Sequence, residues 1–317
     1  MSGILHLAVR FPEGRVTVEQ IHASSGVPVP DILAITHTRS WPALGDDEPS
    51  WKLAARAGAE VVARADASRI GYVLFAGSGE WDLPFWSPAA AVARELRITR
   101  AHCFEVGNFC GAGTTALRIA ADRVEREPRT LALVLVADRL SRMVDFSDPE
   151  SKALFNFGDA AAALLVAAGH TPYTLLHTAV RTDPGWCDYY RGERLDGKVL
   201  IRRGDHREGL ADAYVENFTD LVAQTLTALG AKPCDISHFL INHGDRDMHL
   251  RLLRELGIPE ERSVFAYDRR AHMGGADTFV ALDELERDGR LRSGELILLA
   301  TSAMGFSWGI TALERSS

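Results

Sequence analysis

The chain has 317 residues, 46% of them hydrophobic and 25% charged, and a formal net charge of -8. That length suits one large core or two fused halves, and the acidic balance gives no electrostatic footprint for nucleic acid, although Arg202-Arg203 and Arg269-Arg270 are local basic pairs able to meet an acidic partner. The segment "MSGILHLAVRFPEG" lacks a basic flank and a small-residue cleavage site, and no apolar stretch is long enough to span a membrane, so a cytoplasmic protein is expected.

In chain order, a helical pattern over about 50–65 precedes the apolar strand "YVLFAG" (72–77) and an unusually aromatic loop, "WDLPFWSPAA" (81–90). A helix over about 110–127 then separates that strand from "LALVLVAD" (131–138), and "AAALLVAAG" (161–169) follows. Residues 170 to 209 are polar and turn-rich, so a boundary falls near 170, dividing the chain into halves 1–170 and 171–317. Beyond it come a helix at 210–229, the strand "HFLINH" (238–243), helices at about 246–257 and 276–288, and the strand "ELILLAT" (295–301). Strands this apolar, alternating with helices, predict a layered α/β architecture in which sheets are covered on both faces.

Cys103, Cys110, Cys187 and Cys234 show no C-x-x-C pair or Cys/His spacing suited to zinc, so they are read as free thiols with no metal site. Cys110 stands out. In "HCFEVGNFCGAGTTALRIAADRVER" an apolar segment runs into it, Gly111 and Gly113 follow, and an amphipathic pattern continues through Leu117, Ile119 and Val124. A cysteine at a strand-to-helix turn meets unpaired N–H groups and the positive end of the helix dipole, which favour thiolate, the nucleophilic form. Its own N–H is a candidate oxyanion donor. A small buried hydrophobe at a tight turn is the alternative, and Cys103, inside an apolar strand, reads as core.

"YDRRAHMGGADTFVALDEL" (267–285) sets His272 and Asp277 on either side of a Gly-Gly pair before a helical pattern. They are either a base with its orienting carboxylate or a turn residue with a helix cap.

Taken in order, "VGNFCGAGTTALRIA", "LVLVADRLSRMVDFSDPES", "FNFGDAAAALLVA", "FLINHGD" and "LATSAMGFSWGITALE" resemble the ketoacyl-ACP synthase III group of the thiolase superfamily, over nearly the whole chain. The resemblance implies a five-layer αβαβα thiolase fold built from two similar halves, usually a homodimer, with Cys110 accepting an acyl group as a thioester. His243 falls where the family carries its histidine. At the turn where decarboxylating members use an asparagine, this chain has His272, and Asp277 resembles the carboxylate of an acyl-transferring branch with a Cys-His-Asp set. Both histidines are candidates for the base, and His272, nearer in sequence, is the preferred partner of Asp277.

The resemblance further implies a second oxyanion donor at the Met304 N–H, and a substrate pocket involving Trp81, Phe85, Trp86 and Phe306. Leu33 stands near the tryptophan that holds the CoA adenine in some members, with His37 or Arg39 near the arginine and Trp41 as a substitute stacking partner. The expected donor is therefore an acyl group on the phosphopantetheine of an acyl carrier protein, or of CoA, with no resident cofactor. The leading expectation is acyl transfer to a small-molecule hydroxyl or amine, or to a thiol, in natural-product biosynthesis. A decarboxylating 3-oxoacyl-ACP synthase III-type condensing enzyme is the alternative, and a non-catalytic subunit of a heterodimeric synthase is the third reading.

Overall fold

A computed structural model describes residues 1–205 and 207–316. The chain opens with β1 (Ser2–Arg10), followed by β2 (Arg15–Thr17), α1 (Val18–Ser25), α2 (Val29–Thr36) and β3 (Ser40–Pro42). Helix α1 begins at a capping box, in which Thr17 accepts from the Gln20 N–H while the Gln20 side chain accepts from the Thr17 N–H. Then come α3 (Ser50–Val62), β4 (Ile70–Gly77), α4 (Pro88–Glu95), β5 (His102–Gly107), α5 (Ala112–Arg126), β6 (Leu131–Ala137) and β7 (Ala161–Ala168). These strands and β1 lie in the order β5-β4-β6-β7-β1. Every residue of β6 is buried, as expected of a strand covered on both faces.

The remainder comprises β8 (Tyr173–Thr182), the hairpin β9 (Tyr190–Leu195) and β10 (Lys198–Arg203), α6 (Leu210–Leu229), β11 (Ile236–Ile241), α7 (Arg246–Leu256), α8 (Asp277–Arg287), β12 (Leu296–Ala303) and β13 (Ser307–Arg315). Its large strands are ordered β8-β13-β12-β11. β1 and β8 join the two groups through only two residue pairs, Gly3 with Thr174 and Ile4 with Tyr173. β7 ends at Ala168 and β8 begins at Tyr173, on either side of position 170.

Three apolar clusters define the layers. α3 and α4 cover the outer face of the first sheet, and α6 and α7 cover the outer face of the second. Between the sheets lie α5 and α8, whose Ala116, Leu117, Ala120, Val124, Phe279, Leu282 and Leu285 share one core with residues of both sheets. The result is the five-layer αβαβα arrangement. Each large apolar side chain so buried contributes about 1.5–3 kcal/mol. α8 is buried from Asp277 through Leu282, because sheet and helix surround it.

Several strands escaped the sequence pattern. β8, "YTLLHTAVRT", mixes Thr, His and Arg with its apolar residues, which dilutes the alternation. Pairing with β13, from Tyr173–Arg315 to Thr182–Ser307, fixes its place instead. Arg202, Arg269 and Arg270 of the local basic pairs are occupied internally. Arg202 bonds Asp145, Asp148 and Glu193, while Arg269 and Arg270 both meet Glu284.

Candidate active site

β5 stops at Gly107, and a 3₁₀ turn over Phe109–Gly111 leads into α5. Cys110 therefore precedes α5 by two residues rather than opening it. Phe109 holds φ of 47°, a left-handed conformation that costs a non-glycine residue about 1–3 kcal/mol and re-aims the chain between strand and helix. Asn108 Nδ2 donates to Thr115 Oγ1 at 2.9 Å, and that hydroxyl donates to the Gly111 carbonyl at 2.9 Å, pinning the turn. Cys110 is buried at 7% exposure, yet lines two cavities.

The Gly-Gly pair brings the second half of the chain to this turn. A Cβ on Gly113 would lie 2.8 Å from the Gly275 carbonyl oxygen and 2.7 Å from Phe279 Cε2, so a side chain there would push the two segments apart. Gly274 adopts φ of 61°, where glycine alone is unstrained. The turn is also fixed from outside: the His272 N–H donates to the Asn156 carbonyl at 2.7 Å, and the Gly158 N–H donates to the His272 carbonyl at 2.9 Å.

His272 Nε2 lies 3.2 Å from Cys110 Sγ, and its Nδ1 lies 2.5 Å from Asp277 Oδ2. Asp277 Oδ2 also accepts from the His243 N–H, and Oδ1 from the Met273 N–H, both at 2.8 Å. The carboxylate does not cap α8. Its oxygens are engaged by the imidazole and by two amides from preceding segments. Burial disfavours charge on His272, but Cys110 and Asp277 on its two sides outweigh that and raise its pKa well above the ordinary value. Burial likewise pushes Asp277 up, and His272 more than offsets it, leaving the carboxyl below its usual range.

The two candidate histidines separate. His243 Nε2 accepts from the Ala266 N–H at 3.3 Å, its ring packs on Tyr267, and burial lowers its pKa. Its side chain does not line either cavity around Cys110. Past the end of β11, Asn242 lines the larger cavity together with Ile241 and Gly244, whereas His243, in the turn between Asn242 and Gly244, does not. Asn242 is fixed there by donating to the Gly274 carbonyl at 3.0 Å and accepting from the Ser302 N–H at 2.9 Å. His243 reaches the set only through its backbone.

The larger cavity, about 490 Å³, is lined by Cys110, His272, Asn156, Asn242, Tyr214 and Phe306, among others. A smaller one, about 280 Å³, lies against Leu140, Met143, Phe157, Ile201 and Asp138. Burial pushes the Asp138 carboxyl up to about 7, against the opposing hydrogen bond from the Ser78 N–H. Met304, in the turn between β12 and β13, borders both cavities, and Phe306 packs among Tyr189, Tyr190, Tyr214 and Trp308.

Trp81, Phe85 and Trp86 line neither cavity within this chain. Trp81 packs edge-on against Phe75, Trp86 against Trp51, and Phe85 is fully exposed. Trp41 is completely buried with its Nε1–H donating to the Phe157 carbonyl at 2.8 Å, so it cannot stack on an incoming adenine. Arg39 pairs with Glu19 at the surface, and the His37 ring packs on Tyr267. Among the described residues no three His, Cys, Asp or Glu side chains gather as a metal-binding group, and no helix is long and apolar enough to cross a membrane.

The family model for 3-oxoacyl-[acyl-carrier-protein] synthase III matches residues 104–184, and the model for the C-terminal part of the same enzymes matches 226–315, together more than half of the chain. The chain belongs to the 3-oxoacyl-[acyl-carrier-protein] synthase III family. Among its relatives, the β-ketoacyl-[acyl-carrier-protein] synthase III of Brucella suis is 27% identical over 282 residues, 84% of each chain. That of Rhodospirillum centenum is 29% identical over 234 residues, 72% of each. The crystal structure of FabH from Pseudomonas aeruginosa superposes with a TM-score of 0.88 at 22% identity, covering 100% of this chain and 98% of that one. OleA of Xanthomonas campestris gives 0.86 at 19% identity, covering 99% and 98%. These superpositions identify the thiolase fold. The matched spans also bracket the site, since Cys110 lies in the first and His243, His272 and Asp277 in the second.

Proposed function

We propose that this member of the family is an acyltransferase that carries its acyl group on Cys110 and passes it to a hydroxyl, amine or thiol acceptor. One observation carries the reading: a single imidazole bonded to the Cys110 sulfur on one side and to the Asp277 carboxylate on the other. With Nδ1–H directed at the carboxylate, Nε2 is left free to take a proton. Cys110 first gives its proton to His272 Nε2 and attacks the donor thioester, forming a new C–S bond as the carrier C–S bond breaks; the departing carrier thiolate takes that proton from the imidazolium and leaves the ring neutral. The acceptor X–H then approaches the acyl carbon, His272 Nε2 removes its proton, the X–C bond forms and the C–S bond to Cys110 breaks. The departing thiolate takes the proton back from the imidazolium. The backbone N–H groups of Cys110 and Met304 are assigned to the developing oxyanion.

The smaller cavity, mostly apolar and open to Sγ, suits the acyl group. The larger one suits the pantetheine arm and then the acceptor. An acyl carrier protein is the proposed donor, because Leu33 stands where the resemblance sets the adenine-stacking tryptophan and Trp41 is buried. A homodimer is the proposed assembly, with the exposed Phe85 loop at its interface, and sedimentation velocity reads its mass.

The test is intact-mass analysis with a panel of acyl carriers and CoA thioesters. The wild type should gain one acyl mass that an acceptor then removes, and Cys110→Ala should gain none while keeping the wild-type melting curve. Acylation of the Cys110→Ala chain would overturn the assignment. Decarboxylative condensation is the second reading, favoured by the names of the relatives at 27% and 29% identity. Carbon dioxide release from a malonyl carrier would select it over acyl transfer. Against it stands His272, whose neutral ring donates one N–H where the asparagine amide of the condensing members donates two.

A further inference from the structure

Several side chains lining the larger cavity have their polar atoms engaged. Asn242 uses both ends of its amide, His272 both ring nitrogens, and His249 meets Ser263 and Tyr267. Asn156 differs. It is 5% exposed, its Nδ2 donates to the Gly244 carbonyl at 2.6 Å, and its Oδ1 is buried with no hydrogen-bond partner. Among the described residues, no other buried, unpartnered side-chain nitrogen or oxygen belongs to a residue lining that cavity.

The orientation of the amide follows from chemistry. The Gly244 carbonyl only accepts, so the NH2 must face it and the oxygen must be the other atom. A buried carbonyl oxygen without a partner is costly, and a ligand N–H or O–H relieves that cost. The same residue receives the His272 N–H on its main-chain oxygen at 2.7 Å, so the unpartnered atom and the base are held to one backbone segment.

We infer that Asn156 selects the acyl acceptor, and that the acceptor presents two hydrogen donors, one on the attacking group for His272 Nε2 and one beside it for Asn156 Oδ1. This rests on the acyl-transfer reading. A primary amine meets the requirement with its two N–H bonds, and a vicinal diol with its two hydroxyls. A thiol or a monohydric alcohol has one donor and leaves Oδ1 unpaired. In the reaction the first donor hydrogen moves to His272 as the X–C bond forms and the C–S bond breaks. The second is not transferred. The pantetheine amide N–H is the competing source of the same hydrogen bond, and it would act in the loading step.

The two half-reactions distinguish these sources. Wild type and Asn156→Leu are loaded from acyl-pantetheine, and transfer is then timed by mass to a vicinal diol, to its deoxy analogue and to a matched primary amine. Asn156→Ser serves as a second, smaller replacement in case the leucine perturbs folding. Transfer to diol and amine should slow about tenfold relative both to loading and to transfer to the deoxy alcohol. A loss confined to loading would assign Oδ1 to the pantetheine arm and overturn the acceptor role. Unchanged diol preference in both variants would leave Asn156 as a tie to Gly244 and likewise overturn it. Failure of the wild type to load at all would instead refute the acyl-transfer reading itself.

Discussion

Replacing Asp277 by asparagine probes the set at its most constrained atom. Three donors converge on the carboxylate: the His272 Nδ1–H, the His243 N–H and the Met273 N–H. An asparagine side chain has one oxygen and one NH2, so at least one of these donors must face another donor. If the oxygen replaces Oδ2, the Met273 N–H loses its partner, at about 1–3 kcal/mol for a buried group, and the imidazolium loses its counter-charge. If the NH2 takes that place, it donates to Nδ1 and forces the proton onto Nε2, the wrong tautomer for a base. In a serine protease that fault alone lowers turnover by about 10⁴.

With the carboxylate gone, His272 keeps only Cys110 of the two groups that hold its pKa up, and that pKa falls. Loading of Cys110 exchanges one thioester for another, so it should slow less than about tenfold. Transfer to a hydroxyl needs the base and should slow by about 10²–10⁴. Rapid-quench intact-mass kinetics resolve the two steps. Equal impairment of both would refute the separate roles given to Cys110 and the His272–Asp277 pair.

Two further outcomes test the surroundings. Gly113→Ala should destabilise the chain by about 1–3 kcal/mol and slow loading, because the added Cβ meets the Gly275 carbonyl and Phe279; denaturant unfolding and loading rates measure both. Burial holds the His249 pKa down at about 3, against ~6.5 unfolded, so the unfolded chain binds more protons between those values. Its contribution is complete above pH ~6.5 and is lost as pH falls, by about 2 kcal/mol between pH 6.5 and 5. Asp138, with its raised pKa, works in the opposite sense, so the informative quantity is the difference from His249→Gln, whose urea midpoint should fall less over that interval. Parallel slopes would contradict the assignment.

The buried strands and long helices were legible because their patterns are set by burial on both faces. β6 and α6 fall within a residue of where the letters put them. β1, β8 and β13 were not read, since their mixed residues take their register from neighbours distant in sequence. Cys110 and the His272–Asp277 pair could be picked out, and the resemblance joined them as one set, but the approach of Gly113 to Gly275 that brings them together is encoded by no local pattern. His243 stands where the resemblance sets the family's histidine, whereas its neighbour Asn242 lines the cavity; both lie past the end of β11, where no periodic pattern gives the side-chain directions. Asn156 had no signal at all, because an unpartnered oxygen is a property of packing and not of spacing.

Two of the three groups that hold Asp277 are main-chain amides, and no substitution at 243 or 273 other than proline can delete them. The carboxylate is thus socketed by parts of the molecule that sequence drift barely touches. The residue at 272 is then the exchangeable part of the set, and swapping it alters what the site can protonate while the two amides keep the Asp277 side chain in place. A lineage could cross between chemistries there by a single codon's worth of change, with the rest of the machinery left standing.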